Sequence, residues 1–156
     1  MKTQNLEKQR NYFKSLNIKA KLPAFFEGKK WITEDGQVYS VVDSKYNILE
    51  VPKLAKLRIS RTGRVSTNAK VQSKSRDYSL SRLVAACFLG LDISDRKLVV
   101  KHKDGNPLNN AADNLYITDR QQAFLNATKE KRQKIQQVKS FLMDSACKTL
   151  EFEKNL

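Results

Sequence analysis

His102 is the only histidine of the chain, and it closes the apolar run Leu98-Val99-Val100-Lys101-His102 just before Lys103-Asp104-Gly105-Asn106-Pro107-Leu108-Asn109-Asn110-Ala111-Ala112-Asp113-Asn114-Leu115. Neutral imidazole titrates near working pH, so it can take a proton from water, the step that hydrolysis of a phosphodiester requires. The same reaction calls for a divalent cation that neutralises charge on the scissile phosphate and leaving oxygen, held by carboxylate, amide or water oxygens. Asp104-Gly105-Asn106 favours a tight turn, because Gly and Asn accept positive φ and Asp or Asn side chains bond nearby amides. Taken singly these signals are weak. A histidine after Leu-Val-Val also fits a strand end bonded to the backbone, and Asp-Gly-Asn-Pro makes a turn in almost any protein. Together with Asn109, Asn110 and Asn114, three amides around one short loop, they point to a site.

The elements that must hold this loop are legible on both sides. Leu115-Tyr116-Ile117 reads as a short strand, and Thr118-Asp119-Arg120-Gln121 reads as a capping box, with Thr118 as N-cap and Gln121 at the third helical position. The order is strand, loop, strand, helix. Residues 101–118 resemble the HNH endonucleases of the homing-endonuclease type, common in phages and mobile introns, whose pattern runs V-x-H-x-D-G-N-x-x-N-N followed by N-L and a Thr-capped helix. Upstream, Asp77-Tyr78-Ser79-Leu80-Ser81-Arg82-Leu83-Val84-Ala85-Ala86-Cys87-Phe88 is similar to the strand and helix that precede the motif there, with Ser81 where that family usually has His. Residues 31–126 can be laid on the family in all.

The resemblance implies an α+β fold with a ββα-metal core (HNH, or His-Me finger) at about residues 97–126, preceded by a small basic sheet or hairpin. It implies His102 as general base, with Asn114 and Asn110 shaping the loop. It also implies one Mg²⁺ or Mn²⁺ ion, for which Gln122, Asp104 and Asn126 are the candidate ligands. Two departures bear on that ion. Lys101 stands where better-equipped members place an Asp, and a charged ammonium offers no lone pair. The usual helix Asn falls on Gln122, and the usual final His falls near Leu125, leaving Asn126 and Asp119 as substitutes. The implied function is a DNA endonuclease that nicks or cleaves. The alternative is a DNA-binding protein that keeps the scaffold and has lost its metal ligands.

Charge supports a polyanionic partner. Thirty Lys and Arg against 16 Asp and Glu give a net charge of +14 over 156 residues, which favours nucleic acid through counterion release and steering. The charge is uneven: residues 51–85 hold nine basic side chains and one acid, Asp77, whereas residues 86–118 hold four of each sign. Leu57 to Val65 alternates apolar and basic positions about a Thr-Gly turn, as a half-buried hairpin would, with Lys56, Arg58, Arg61 and Arg64 on its outer face. These four, with Lys101, Lys103 and Arg82, are the candidate contacts to double-stranded DNA. A basic RNA-binding accessory protein fits the charge but leaves the His-to-Asn loop without a role.

The length suits one domain with appended helices. Residues 1–30 read as a basic helical arm, with an amphipathic helix over 5–18 carrying Leu6, Phe13 and Leu16 on one side. Residues 31–126 form the endonuclease-like domain, opening with strands in Trp31–Val42 about a Glu34-Asp35-Gly36 turn. Residues 127–156 form a C-terminal helix, whose Ile135, Val138, Phe141 and Leu142 recur at helical spacing for docking onto its own domain. Cys87 and Cys147 have no partnering spacing, so no zinc site of the usual kind is expected, and Cys87 reads as core. The polar start Met1-Lys2-Thr3-Gln4-Asn5 leads us to expect no signal peptide, and the longest apolar run, Leu83 to Leu91, is too short to span a bilayer. No membrane partner is expected, and the cytoplasm of a bacterium or a phage-infected host fits. Whether a larger assembly forms is not written in these residues.

Overall fold

The structure is a computed structural model that describes residues 2–43, 45–71 and 74–154, and the side chains of 4–43, 45–70 and 74–141. It divides into two units, Met1–Thr118 and Asp119–Leu156. In the first, α1 (Lys2–Ser15) leads to β1 (Ala20–Lys21), β2 (Lys30–Thr33), β3 (Val38–Val42) and β4 (Ile48–Leu54), which form one antiparallel sheet in that order. Next, β5 (Arg58–Ile59), β6 (Val65–Val71) and β7 (Lys74–Ser79) make a second antiparallel sheet, followed by α2 (Leu80–Phe88). Finally β8 (Leu98–His102) pairs with β9 (Leu115–Asp119), and α3 (Arg120–Lys154) occupies the second unit. Among the described residues, no helix is long and apolar enough to cross a membrane.

Alternation along β2 and β3 explains why two cores form. Successive strand side chains point to opposite faces, so Trp31 and Val41 pack with Phe13 of α1, while Ile32 and Val38 face α2. The α2 side is the larger core. Leu80, Leu83 and Val84 meet Ile32 and Val38 of the first sheet, Val65 and Ala69 of the second, and Ala112 and Leu115 beside the His102 loop. Cys87 packs against this cluster as expected, and burial pushes its thiol up to about 11. The side chain of Cys147, like that of Leu142, lies outside the described residues.

The N-terminal segment is integrated into the first unit. Leu6 and Phe13 do pack inward, but Leu16 is exposed just past the helix end, and Gln9 takes the buried place instead, 1% exposed. A polar residue can sit there because its amide is satisfied: Trp31 Nε1 donates to Gln9 Oε1 at 3.1 Å, and Gln9 Nε2 donates to the Leu49 carbonyl at 2.8 Å. Gln9→Ala is expected to cost about 1–3 kcal/mol of stability, since it leaves the indole N–H without its partner. A urea titration measures the loss. The boundaries expected at 30/31 and 126/127 fall inside β2 and α3.

The basic hairpin forms between β5 and β6, with Gly63 at φ +75° in its turn. Lys56, Arg58, Arg61 and Arg64 are all exposed. The half-buried pattern does not hold at Ile59, which is 65% exposed, because β5 is only two residues long and lies at the sheet edge. In the second unit, Asp119 and not Thr118 caps α3. Thr118 continues β9, and the Asp119 carboxylate accepts the Gln121 N–H at 2.7 Å. Ile135, Val138 and Phe141 share the apolar spacing of α3.

Candidate active site

β8 delivers His102 to the mouth of a loop that its own amides hold closed. Asp104 opens an Asx turn, its Oδ1 accepting the Asn106 N–H at 2.8 Å, and Gly105 follows at φ +73°, where a side chain is strained. Asn114 then ties the two ends together. Its Nδ2 donates to Asp104 Oδ1 at 3.0 Å and to the Asn109 carbonyl at 2.9 Å, while its Oδ1 accepts the Asp104 N–H at 3.2 Å. Asn109 Nδ2 adds a bond to Asp104 Oδ2 at 2.8 Å. The side-chain amides of Asn109 and Asn114 and the Asp104 carboxylate form a closed staple.

Asn110 does a different job. It is 4% exposed, and its Nδ2 lies 3.2 Å from the Pro107 carbonyl and 3.1 Å from the Leu108 carbonyl. Two carbonyl oxygens there fix the orientation of the amide, because Oδ1 in that place would face them with lone pairs. Oδ1 therefore points to His102, whose Nε2–H donates to it at 3.1 Å. With Nε2 protonated, Nδ1 keeps the lone pair that a general base needs.

The loop carboxylate also sets a pH dependence. The Asn114 amide, then the Asn106 N–H and the Asn109 amide, hold the exposed Asp104 carboxyl below its ordinary range. A carboxyl depressed by folding contributes stability that is complete above its unfolded value of about 3.9 and is lost as pH falls through the lowered value. A pH series of amide spectra is expected to show Asn106, Asn109 and Asn114 losing protection first on the acid side, and Asp104→Ala to remove that dependence.

Other expected contacts are committed elsewhere. Arg82, counted among the DNA candidates, turns its guanidinium onto the connection between α2 and β8. Its Nε donates to the Ile93 carbonyl at 3.1 Å, Nη1 to Leu98 at 2.8 Å, and Nη2 to Asp92 at 3.4 Å and to Asp95. It thereby sets the entry into β8. Arg58 pairs with Asp77 at 2.7 Å, and Lys103 Nζ donates to the Asp113 carbonyl at 2.6 Å. Lys56, Arg61 and Arg64 remain exposed, and Lys101 lies on β8 beside His102. Ser81 is buried and lies 3.4 Å from the Ser79 hydroxyl.

Within the first unit, the His102 loop offers few oxygen ligands for a divalent ion. Asp104 already accepts three N–H bonds from Asn106, Asn109 and Asn114, in addition to closing the loop, which leaves about one of its four lone-pair sites. Lys101 presents a cation where a carboxylate would be needed. Gln122 and Asn126 belong to α3, where Gln122 Nε2 donates to Asn126 Oδ1 at 3.1 Å, a bond that uses one lone pair of Asn126 Oδ1 and neither of Gln122 Oε1. Among the described residues, no group of three or more His, Cys, Asp or Glu is assembled.

In broad outline, the three helices and small antiparallel sheets of the described residues are similar to the fold of an HNH endonuclease. Among solved structures, the chain is similar to the HNH homing endonuclease I-HmuI, whose structure is described as showing DNA binding and cleavage. The likeness has a TM-score of 0.52 and 28% sequence identity, and it covers 75% of this chain and 63% of that one. No protein-family model and no curated protein matches the sequence.

Two features of the site were not read from the sequence. Asn110 was placed in the loop but not as the partner of His102, a distinction that only its burial and carbonyl neighbours make. Gly36, in the turn between β2 and β3, lies against the Asn110 backbone. Its signal was a glycine between two strands, which by itself says only that a turn is there.

Proposed function

We propose that this chain binds double-stranded DNA and hydrolyses a phosphodiester, with His102 as the general base. The observation that carries the reading is the His102–Asn110 hydrogen bond, which favours the tautomer with its proton on Nε2 and leaves Nδ1 to accept the proton of an attacking water. Asn114 keeps the loop at the length that presents this nitrogen. Lys56, Arg61 and Arg64 on the exposed hairpin supply contacts to backbone phosphates, and their charge adds to a net +14.

A second reading is favoured by the donor set. Lys101 before His102 and an Asp104 occupied by loop amides suit a protein that grips DNA and does not cut it. Supercoiled-plasmid nicking, run beside gel retardation on the same DNA, separates the two. Nicking with Mg²⁺ or Mn²⁺ that EDTA abolishes establishes the nuclease and a metal requirement. Retardation with no nicking in any metal establishes the binding-only protein, and tighter retention of structured RNA than of duplex DNA overturns both.

A further inference from the structure

We propose that Gly36 is a positioning residue for His102: the turn between β2 and β3 holds the Asn110 backbone, and Asn110 in turn holds the imidazole. The inference rests on the reading of His102 as the general base.

The turn is built to be stiff. Thr33, fully buried, donates its N–H to the Gln37 carbonyl at 2.9 Å, its hydroxyl oxygen accepts the Gln37 N–H at 2.9 Å, and the hydroxyl bonds the Asp35 carboxylate. Gly36 N–H closes onto the Thr33 carbonyl at 3.1 Å. This stiff turn then docks backbone to backbone on the His102 loop. The Ala112 N–H donates to the Glu34 carbonyl at 2.8 Å, and a Cβ placed on Gly36 would stand 2.6 Å from both the carbonyl carbon and the oxygen of Asn110. At that distance the backbone of one segment must move.

Movement of Asn110 is felt at His102. Asn110 is held by two carbonyls of its own loop on one side of its amide and offers His102 an acceptor on the other. A hydrogen bond weakens steeply as its angle and length leave the preferred range, so a displacement of a few tenths of an ångström at the Asn110 backbone frees the ring to change tautomer. Positive φ alone does not explain a glycine's role here. Gly28 and Gly90 share that conformation, at φ +72° and +73°, yet a Cβ on either would meet nothing within 4 Å.

A single histidine makes the test clean, because one imidazole gives the whole ring signal. Ring ¹⁵N spectra of the full chain would be recorded above the imidazole titration range for the native protein, G36A, G28A and G90A. The native protein, G28A and G90A are expected to share one pattern, with a hydrogen-bonded proton on Nε2. In G36A that proton signal is expected to be lost to exchange, and the two ring nitrogens to shift towards the mixed tautomers of free imidazole. If the native protein nicks, G36A is expected to nick up to roughly 100-fold more slowly, the penalty of a misplaced catalytic group, with DNA retention unchanged.

A native ring spectrum in G36A overturns the proposal, and so does an equal change in all three glycine variants. If G36A does not fold, T33V decides. It removes the hydroxyl bonds that stiffen the turn and leaves Gly36 in place, so an unchanged imidazole in folded T33V overturns the proposal, and loss of the Nε2 proton supports it. The readout is the ring itself. Failure of the native protein to nick therefore counts against the nuclease reading and leaves the positioning inference to stand or fall on the spectra.

Discussion

Replacing His102 with alanine is expected to reduce plasmid nicking by roughly 10²–10⁴-fold, the usual contribution of a positioned general base, while gel retardation of the same DNA stays within experimental scatter. Binding should survive because the exposed cations lie elsewhere, on the hairpin that carries Lys56, Arg61 and Arg64. The loop should survive because its staple of Asp104, Asn109 and Asn114 does not include the imidazole. Single-turnover nicking rates provide the measurement. A rate in His102→Ala equal to that of the native protein would assign hydrolysis to another group or to a contaminant. The second large effect is on stability and concerns a residue far less conspicuous in the sequence.

Arg82→Met is expected to lower the unfolding free energy by about 2–4 kcal/mol, since hydrogen bonds to a charged group contribute about 1.5–3 kcal/mol each and the freed carbonyls regain part of this from water. Methionine keeps the apolar stem and removes the guanidinium, so packing is largely preserved. What is lost is the clasp on the carbonyls of Asp92, Ile93, Asp95 and Leu98, which shapes the connection leading into β8. Arg82→Lys should recover only a small part, because one ammonium cannot reach carbonyls spread over that span as a planar fork does. Chemical denaturation gives the number, and an unchanged midpoint in Arg82→Met would show that the connection holds its shape without the clasp.

Local chemistry was legible in the sequence, and tertiary commitments were not. The strand before His102, the Asp104-Gly105-Asn106 turn and the strand at Leu115 follow from apolar runs broken by residues that bond their own backbone, and all three are present. The Glu34-Asp35-Gly36 turn was found for the same reason. By contrast, β4 carries Pro52 and exposes Ile48, Val51 and Leu54, so it lacks the alternation that marks a half-buried strand. Gln9 reads as a surface residue until Trp31 and Leu49 satisfy its amide. Arg82 looks like any other cation in a basic stretch, because carbonyls gathered from a distant loop leave no mark on the residues beside it. Asp104 stands out in the sequence for its carboxylate, but nothing beside it shows that this carboxylate accepts three N–H bonds from its own loop.

The contact between the turn at Gly36 and the backbone of Asn110 also orders events in time. Residues 104–114 are among the last of their unit to be synthesised, and the surface that aligns Asn110 comes from a turn near the beginning. Contacts between segments so far apart in the chain form only after the intervening loop entropy has been overcome. The imidazole is therefore aligned only in a completed first unit. A nascent or partly unfolded chain carries the basic segments without an aligned imidazole, so under the proposed function attraction to nucleic acid would precede any capacity to break it.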